Sequence, residues 1–177
     1  MPQEILERPQ GVSFFLIVSY ENEDTFFELK SIAEKRFSKV LYESLLLPKW
    51  VADETEREFA YPGRYTKVLS FKQRIHREEI VEKKKDCLEF QTLLQKKDLS
   101  ALLIPGYVTS HNIVIAKSKD DFHRMYLFQG VYAETVYHFS RGQLLPLPST
   151  QSYFKEREVI YFFNTLRESY EFNKFKS

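Results

Sequence analysis

His123, Arg124, Tyr132 and Glu134 stand within a dozen residues of one another, and their types suit anion binding and proton transfer. A histidine held by a carboxylate is an acid/base unit, because the carboxylate orients the ring and fixes which nitrogen carries the proton. A tyrosine hydroxyl adds a donor, and an arginine offers a planar fork for a carboxylate or phosphate. Gln129-Gly130 lies between them, and glycine suits the positive φ of a two-residue hairpin turn. That turn sets Phe128 opposite Val131, Leu127 opposite Tyr132, Met125 opposite Glu134 and His123 opposite Val136. His123 and Glu134 then become diagonal neighbours on one face, with Tyr132 alongside and His138 further along, while Arg124 and Tyr126 point away. His123 and Glu134 are the candidate catalytic pair, and Tyr132 and Arg124 are candidate ligand contacts. Lys72 and Arg74, near the end of an earlier strand, are candidates to join Arg124 on an anion. In a purely structural role the same residues form a cross-strand ion pair under a loop.

Other polar groups are weaker candidates. Asp53, Glu56 and Glu58 are hard-cation ligand types, but an acidic surface loop is the commoner explanation. The Lys83-Lys84-Lys85 run has Glu82, Asp86 and Glu89 interleaved, which predicts a solvated helix face. His111 has too little context for a role, and Tyr61 and Tyr65 read as core or rim aromatics. The four histidines lack the helical zinc spacing, and the single cysteine, Cys87, excludes an internal disulfide and a multi-thiolate zinc centre. No metal set is assigned, and no cofactor is specified. The five glycines, at 11, 63, 106, 130 and 142, are too far apart for a dinucleotide-binding or P-loop fingerprint.

These residues are positioned by an alternation of strands and helices. Val12 to Tyr20 is nearly all apolar and predicts a central strand covered on both faces. Asp24 caps a helix whose Phe26, Leu29, Ala33 and Phe37 face that strand. Val40 to Leu47 predicts a second strand closed by Pro48, followed by an acidic connection to Pro62-Gly63 and a third strand from Tyr65 to Phe71. A long helix from about His76 to Lys97 follows, with Ile80, Cys87 and Leu94 seven residues apart. From Ala101 onward the pattern is a meander of hairpins, with breaks at Pro105-Gly106, Lys119 to Asp121, Gln129-Gly130 and Arg141-Gly142. Val159, Phe163, Leu166 and Tyr170 give an amphipathic C-terminal helix that closes over one face. The class is α+β, an antiparallel or mixed sheet, with a ferredoxin-like βαββαβ core compatible with the order.

At 177 residues the chain has the size of one domain: a tail over 1–10, then a single domain over 11–177. Lys plus Arg is 26 against 25 Asp plus Glu, so balanced charge argues against nucleic acid, even though 16 Phe and 11 Tyr are present to stack on bases. No apolar run reaches the roughly 20 residues of a membrane span, and one free cysteine fits a reducing compartment, so a cytoplasmic protein is expected.

In the second half, Pro105-Gly106-Tyr107-Val108-Thr109, Ile113 to Lys119, His123-Arg124-Met125-Tyr126-Leu127 and Gly130-Val131-Tyr132-Ala133-Glu134 form a succession of segments. In these segments the chain resembles an uncharacterised bacterial family, domain of unknown function 4416. Weaker matches are Ser70-Phe71 with Ile75, Leu147-Pro148 with Thr150, and the acidic stretch with Asp53, Glu56 and Glu58. The chain departs from the family pattern at Ile104, where the family has aspartate, at Ser149, where it has tryptophan, and at Glu54 and Thr55, where it has tyrosines. The resemblance implies no known activity. Some relatives carry a "GTP-binding" label, for which the glycine positions here supply no phosphate loop. The leading expectation is a small-ligand-binding domain for an anionic metabolite. The alternatives are an acid/base enzyme using His123 and Glu134, and a non-catalytic protein-interaction domain.

Overall fold

In the computed structural model the described residues are 1–57 and 63–174, so Glu58, Tyr61 and Pro62 lie outside them. Strand β1 (Ser13–Tyr20) is buried along both faces. Phe14, Leu16 and Val18 enter one apolar layer, and Phe15 and Ile17 enter the other. Such side chains each contribute about 1.5–3 kcal/mol on burial, which explains why the most apolar segment lies inside the sheet.

Helix α1 (Glu23–Arg36) is capped by Asn22, whose Oδ1 accepts from the Thr25 N–H at 3.0 Å. This corrects the expected cap at Asp24, which sits in the first turn with Glu23, where negative charge also suits the helix dipole. Strand β2 (Val40–Glu43) is shorter than the expected run to Leu47. It is the sheet's edge, its register shifts between Val40 and Tyr42, and Leu47 returns only as an isolated bridge to Thr66.

Strand β3 (Tyr65–Phe71) leads through a 3-10 turn at Arg77–Glu79 into helix α2 (Ile80–Gln95). Strand β4 (Ala101–Val108) runs through Pro105-Gly106, where a break was expected. Pro105 lies opposite Leu16 of β1, but the ladder from β4 to β5 (Asn112–Lys117) begins only at Gly106, so the missing proline N–H falls where no partner strand needs it. Leu103, two residues earlier on that open side, donates its N–H to Gln91 Oε1 of α2 instead, at 3.0 Å.

Strands β6 (Met125–Phe128), β7 (Val131–Ser140) and β8 (Gln143–Pro146) complete the meander, and helix α3 (Arg157–Asn173) follows. The antiparallel sheet has the order β2-β3-β1-β4-β5-β7-β6, with β8 also paired to β7. Its first four strands with α1 and α2 on one face form the ferredoxin-like arrangement, extended at the β4 edge. Helix α3 covers the other face through Val159, Phe163, Leu166 and Tyr170. The fold is α+β with helices on both sides of one sheet, and no described helix is long and apolar enough to cross a membrane.

Candidate functional site

The hairpin turn forms at Gln129-Gly130, with φ of 53° and 79°. Phe128 opposes Val131 as the turn requires, but the next pairs are Tyr126 with Tyr132 and Met125 with Ala133. Leu127 is an extra residue in β6, a β-bulge, and it shifts every side chain before it to the opposite face. The expected register of Leu127 with Tyr132 and Met125 with Glu134 is thereby corrected. Tyr126 and Arg124 do not point away from Glu134. Tyr126 lies 5.2 Å from the Tyr132 ring, and Arg124 Nε donates to Glu134 Oε1 at 2.9 Å.

His123 reaches the same carboxylate from outside the ladder. It lies in the turn closed by the Arg124 N–H to the Asp121 carbonyl, and its Nε2 is 2.5 Å from Glu134 Oε1. One carboxylate oxygen thus serves both the imidazole and the guanidinium. The other ring nitrogen, Nδ1, is buried with no hydrogen-bond partner, and Asp121 Oδ2 stands 3.9 Å from it.

Arg124 is the centre of a larger network, its side chain only 1% exposed. Besides Glu134, its Nη1 donates to Thr55 Oγ1 and the Lys119 carbonyl at 2.9 and 3.0 Å, and its Nη2 donates to Asp53 Oδ2 at 2.8 Å. Lys117, at the end of β5, donates to the same Asp53 oxygen at 3.0 Å and to Glu56 Oε1. Glu56 Oε2 in turn accepts from Trp50 Nε1 at 3.3 Å, and the Lys117 ammonium sits 5.5 Å from the Trp50 ring. The segment carrying Asp53 and Glu56 is shaped by Asp53 itself, whose Oδ1 accepts from the N–H groups of Thr55 and Glu56. Burial alone would raise the Asp53 carboxyl. Lys117, the Thr55 hydroxyl and Arg124 outweigh it and hold the group at about 2.

Asp53 and Glu56, two of the three acidic residues considered for a cation, therefore face protein cations, and among the described residues no group of three His, Cys, Asp or Glu is arranged to hold a metal. Lys84, expected on a solvated face, is buried from α2 at 6% exposure, while Lys85 stays wet beside Glu82. Among the described residues Lys84 has neither a hydrogen bond nor an ion pair. Desolvation lowers its pKa, with Cys87, Lys117, Glu56 and Arg124 the charges that act on it. Ile104, the departure from the family aspartate, is packed with Phe15 and Ile17 in the layer that also holds Trp50.

The remaining candidates lie elsewhere. Lys72 and Arg74 follow β3, and β1, β4 and β5 separate β3 from β7, four strand spacings or roughly 19 Å. With Lys39, Tyr42, Tyr170 and Phe172 they line a groove of about 980 Å³ between the β2 edge and the end of α3. Arg74 there donates to the Lys174 carbonyl and lies 5.2 Å from the Tyr170 ring. His138 pairs across the ladder with Asn112 and takes no part in the Arg124 network. Lys117 and Lys84 are the site residues that sequence reasoning missed. The only signal for Lys117 is a charge ending an apolar strand, and nothing in the lysine run marks Lys84 as buried between Lys83, half-buried over the Phe14 and Phe37 rings, and the exposed Lys85.

A fold of this architecture, with one network of buried ion pairs at the β5–β7 end, does not by itself specify a reaction. Residues 10–170 match the model of the domain of unknown function 4416, and the chain belongs to that family. No curated protein matches the chain. No solved structure matches it either.

Proposed function

We propose that the chain is a small-ligand-binding domain, and that its site is the corner where His123 meets Glu134, with Arg124 on the same carboxylate and Tyr132 on the same face of β7, and with an anionic metabolite as the ligand class. The reading rests on His123 Nδ1, a buried nitrogen with no hydrogen-bond partner and 3.9 Å from Asp121 Oδ2, on a ring whose other nitrogen meets the Glu134 carboxylate. A buried polar atom left unpaired costs about 1–3 kcal/mol, which a ligand oxygen accepting from that nitrogen would offset. With Glu134 on Nε2, a charged ring would turn an Nδ1–H toward a carboxylate or phosphate oxygen.

The test is a thermal-shift series with inorganic phosphate, succinate, citrate and 2-oxoglutarate. A ligand at a hundred times its dissociation constant adds about 2.7 kcal/mol and raises Tm by about 5 °C or more in a domain this size. At least one anion is expected to do so in the wild type and none in His123→Ala, whose Glu134 keeps its bond to Arg124. A shift unchanged by His123→Ala, or no shift with any anion, overturns the reading.

A second reading, a protein-interaction domain, is favoured by the exposed apolar hairpin beside the same site. Phe122, Met125, Tyr126 and Phe128 are all exposed, at 88, 70, 58 and 45%. In that role the His123 network would only brace the hairpin, and His123→Ala would lower stability while no anion bound.

A further inference from the structure

The groove between the β2 edge and the end of α3 differs in charge from the chain as a whole. Lys plus Arg is 26 against 25 Asp plus Glu overall, yet Lys39, Lys72 and Arg74 line this groove and no described residue lining it is acidic. Val40 pairs with Phe71 at the end of the β2–β3 ladder, and the Lys72 N–H donates to the Lys39 carbonyl at 2.9 Å, so the two lysines form the next cross-strand pair. The Gln73 N–H donates to Ser38 Oγ at 3.0 Å and pins the same two segments. Like charges directly opposite one another on neighbouring strands repel. Among the described residues neither lysine has a side-chain hydrogen bond or an ion pair. The acids of the adjoining elements are engaged elsewhere, Glu43 with Lys30 and Lys67, Glu34 with the Val40 N–H, and Glu171 with Lys174 and Arg167. Arg74 uses Nη1 on the Lys174 carbonyl and meets no carboxylate among the described residues. These cations therefore lack the counter-charges that Lys117 and Arg124 have.

The walls beside them are aromatic. Tyr170 lies 5.2 Å from the Arg74 guanidinium, and its hydroxyl donates to the Gly11 carbonyl at 3.0 Å. On the β2 wall the Tyr42 hydroxyl accepts from Ser169 Oγ of α3 at 3.2 Å. Both rings are held by their hydroxyls, which lowers the cost of ordering them around a ligand. Tyr42 and Phe172 line the groove and are exposed. We propose that this groove is a second binding site, whose ligand is a small organic phosphate carrying an aromatic ring. Three cations match a doubly charged head better than a single charge, an anion seated between the lysines relieves their repulsion, and the arginine fork suits two phosphate oxygens. Tyr42 and Phe172 suit a flat ring. The volume of about 980 Å³ lies at the upper end of the range of about 300–1,000 Å³ of small-molecule sites. Four strand spacings, roughly 19 Å, separate β3 from β7, so the inference does not rest on a ligand at the His123 corner.

Isothermal titration calorimetry of the full chain with 1-naphthyl phosphate, at neutral pH and low salt, tests it. The wild type is expected to bind one equivalent, and Lys39→Ala and Lys72→Ala are each expected to bind about tenfold or more weakly, the size of one lost charge-assisted contact. Both lysines are exposed, and removing one of a like-charged pair is expected to hold or raise Tm, so weaker binding is not a loss of fold. 1-Naphthol, which lacks the charge, and inorganic phosphate, which lacks the ring, are each expected to bind about tenfold or more weakly than the naphthyl ester. No binding by the wild type, or binding that both lysine variants leave unchanged, overturns the proposal. Inorganic phosphate that binds as tightly as the naphthyl ester overturns the aromatic part, and the groove is then a plain anion patch. His123→Ala is expected to bind 1-naphthyl phosphate as the wild type does, so the two sites fail or stand separately. Binding lost with His123 would place the ligand at the other corner and overturn the assignment to this groove.

Discussion

Asp53 Oδ1 holds the backbone of Thr55 and Glu56, while Oδ2 accepts from Lys117 and Arg124. Its carboxyl is held at about 2 against an ordinary value of 3.8, and that depression is a statement about stability. The stabilising contribution is complete above about pH 4, where the unfolded chain is also ionised, and it is lost as pH falls through 2. The side chain is only 18% exposed, so solvent screening is modest and the contribution is about 2 kcal/mol at neutral pH. Asp53→Asn is expected to lose about that much at pH 7 in urea denaturation. The difference between wild type and variant should shrink steadily from pH 4 to pH 2, and a gap that persists at pH 2 would show that the hydrogen bonds, not the charge, matter. At this scale the sequence was legible in part. The residues of the His123–Glu134 pair could be named from their types and spacing, because both flank one hairpin. Asp53 and Glu56 could be seen only as acids, since the cations that pair with them come from 61 to 71 residues away.

Strands β1 and β3 and helices α2 and α3 follow directly from apolar periodicity, whereas the β6–β7 register does not. A bulge needs only one extra residue, and Leu127 has the same apolar character as an ordinary strand position, so nothing in the pattern marks it. The two glycines of this region differ for a reason that is equally hidden. Gly130 takes a φ of 79° in the turn, with no atom near the position of a Cβ. Gly106 takes no positive φ, but a Cβ there would lie 2.4 Å from Phe15 Cζ and 2.5 Å from the Val114 carbonyl oxygen. It sits where β1, β4 and β5 converge, opposite both Phe15 and Ile115. Gly130→Ala is expected to cost about 1 kcal/mol, the strain of a left-handed alanine. Gly106→Ala is expected to cost about 3 kcal/mol, because a packed aromatic and a strand must both shift. Urea midpoints of the two variants measure the contrast, and an equal cost would mean that Phe15 can swing aside freely.

The two apolar layers share one sheet, and the chain carries a natural probe in each. Its only tryptophan, Trp50, is buried on the α3 side, against Tyr153 and Phe154 and in hydrogen-bond contact with Glu56 of the site. Its only cysteine, Cys87, is buried on the α1–α2 side, where burial pushes the thiol up to about 12 and keeps it unreactive until the layer opens. Strand β1 feeds both layers from alternate residues, so neither face can lose its packing without exposing the back of the same strand. Trp50 fluorescence and Cys87 thiol labelling are therefore expected to report one transition with one midpoint in a denaturant series. Phe163→Ala sharpens the test, because Phe163 lies on α3 and contacts Phe15, Tyr137 and Phe154 far from Cys87. It should cost about 3–5 kcal/mol and move both midpoints by the same amount. A Trp50 transition that moves while the Cys87 transition stays would mean that α3 and the site it backs unfold as a unit separate from the ferredoxin-like half. In that case the matched region, residues 10–170, would contain two cooperative bodies rather than one.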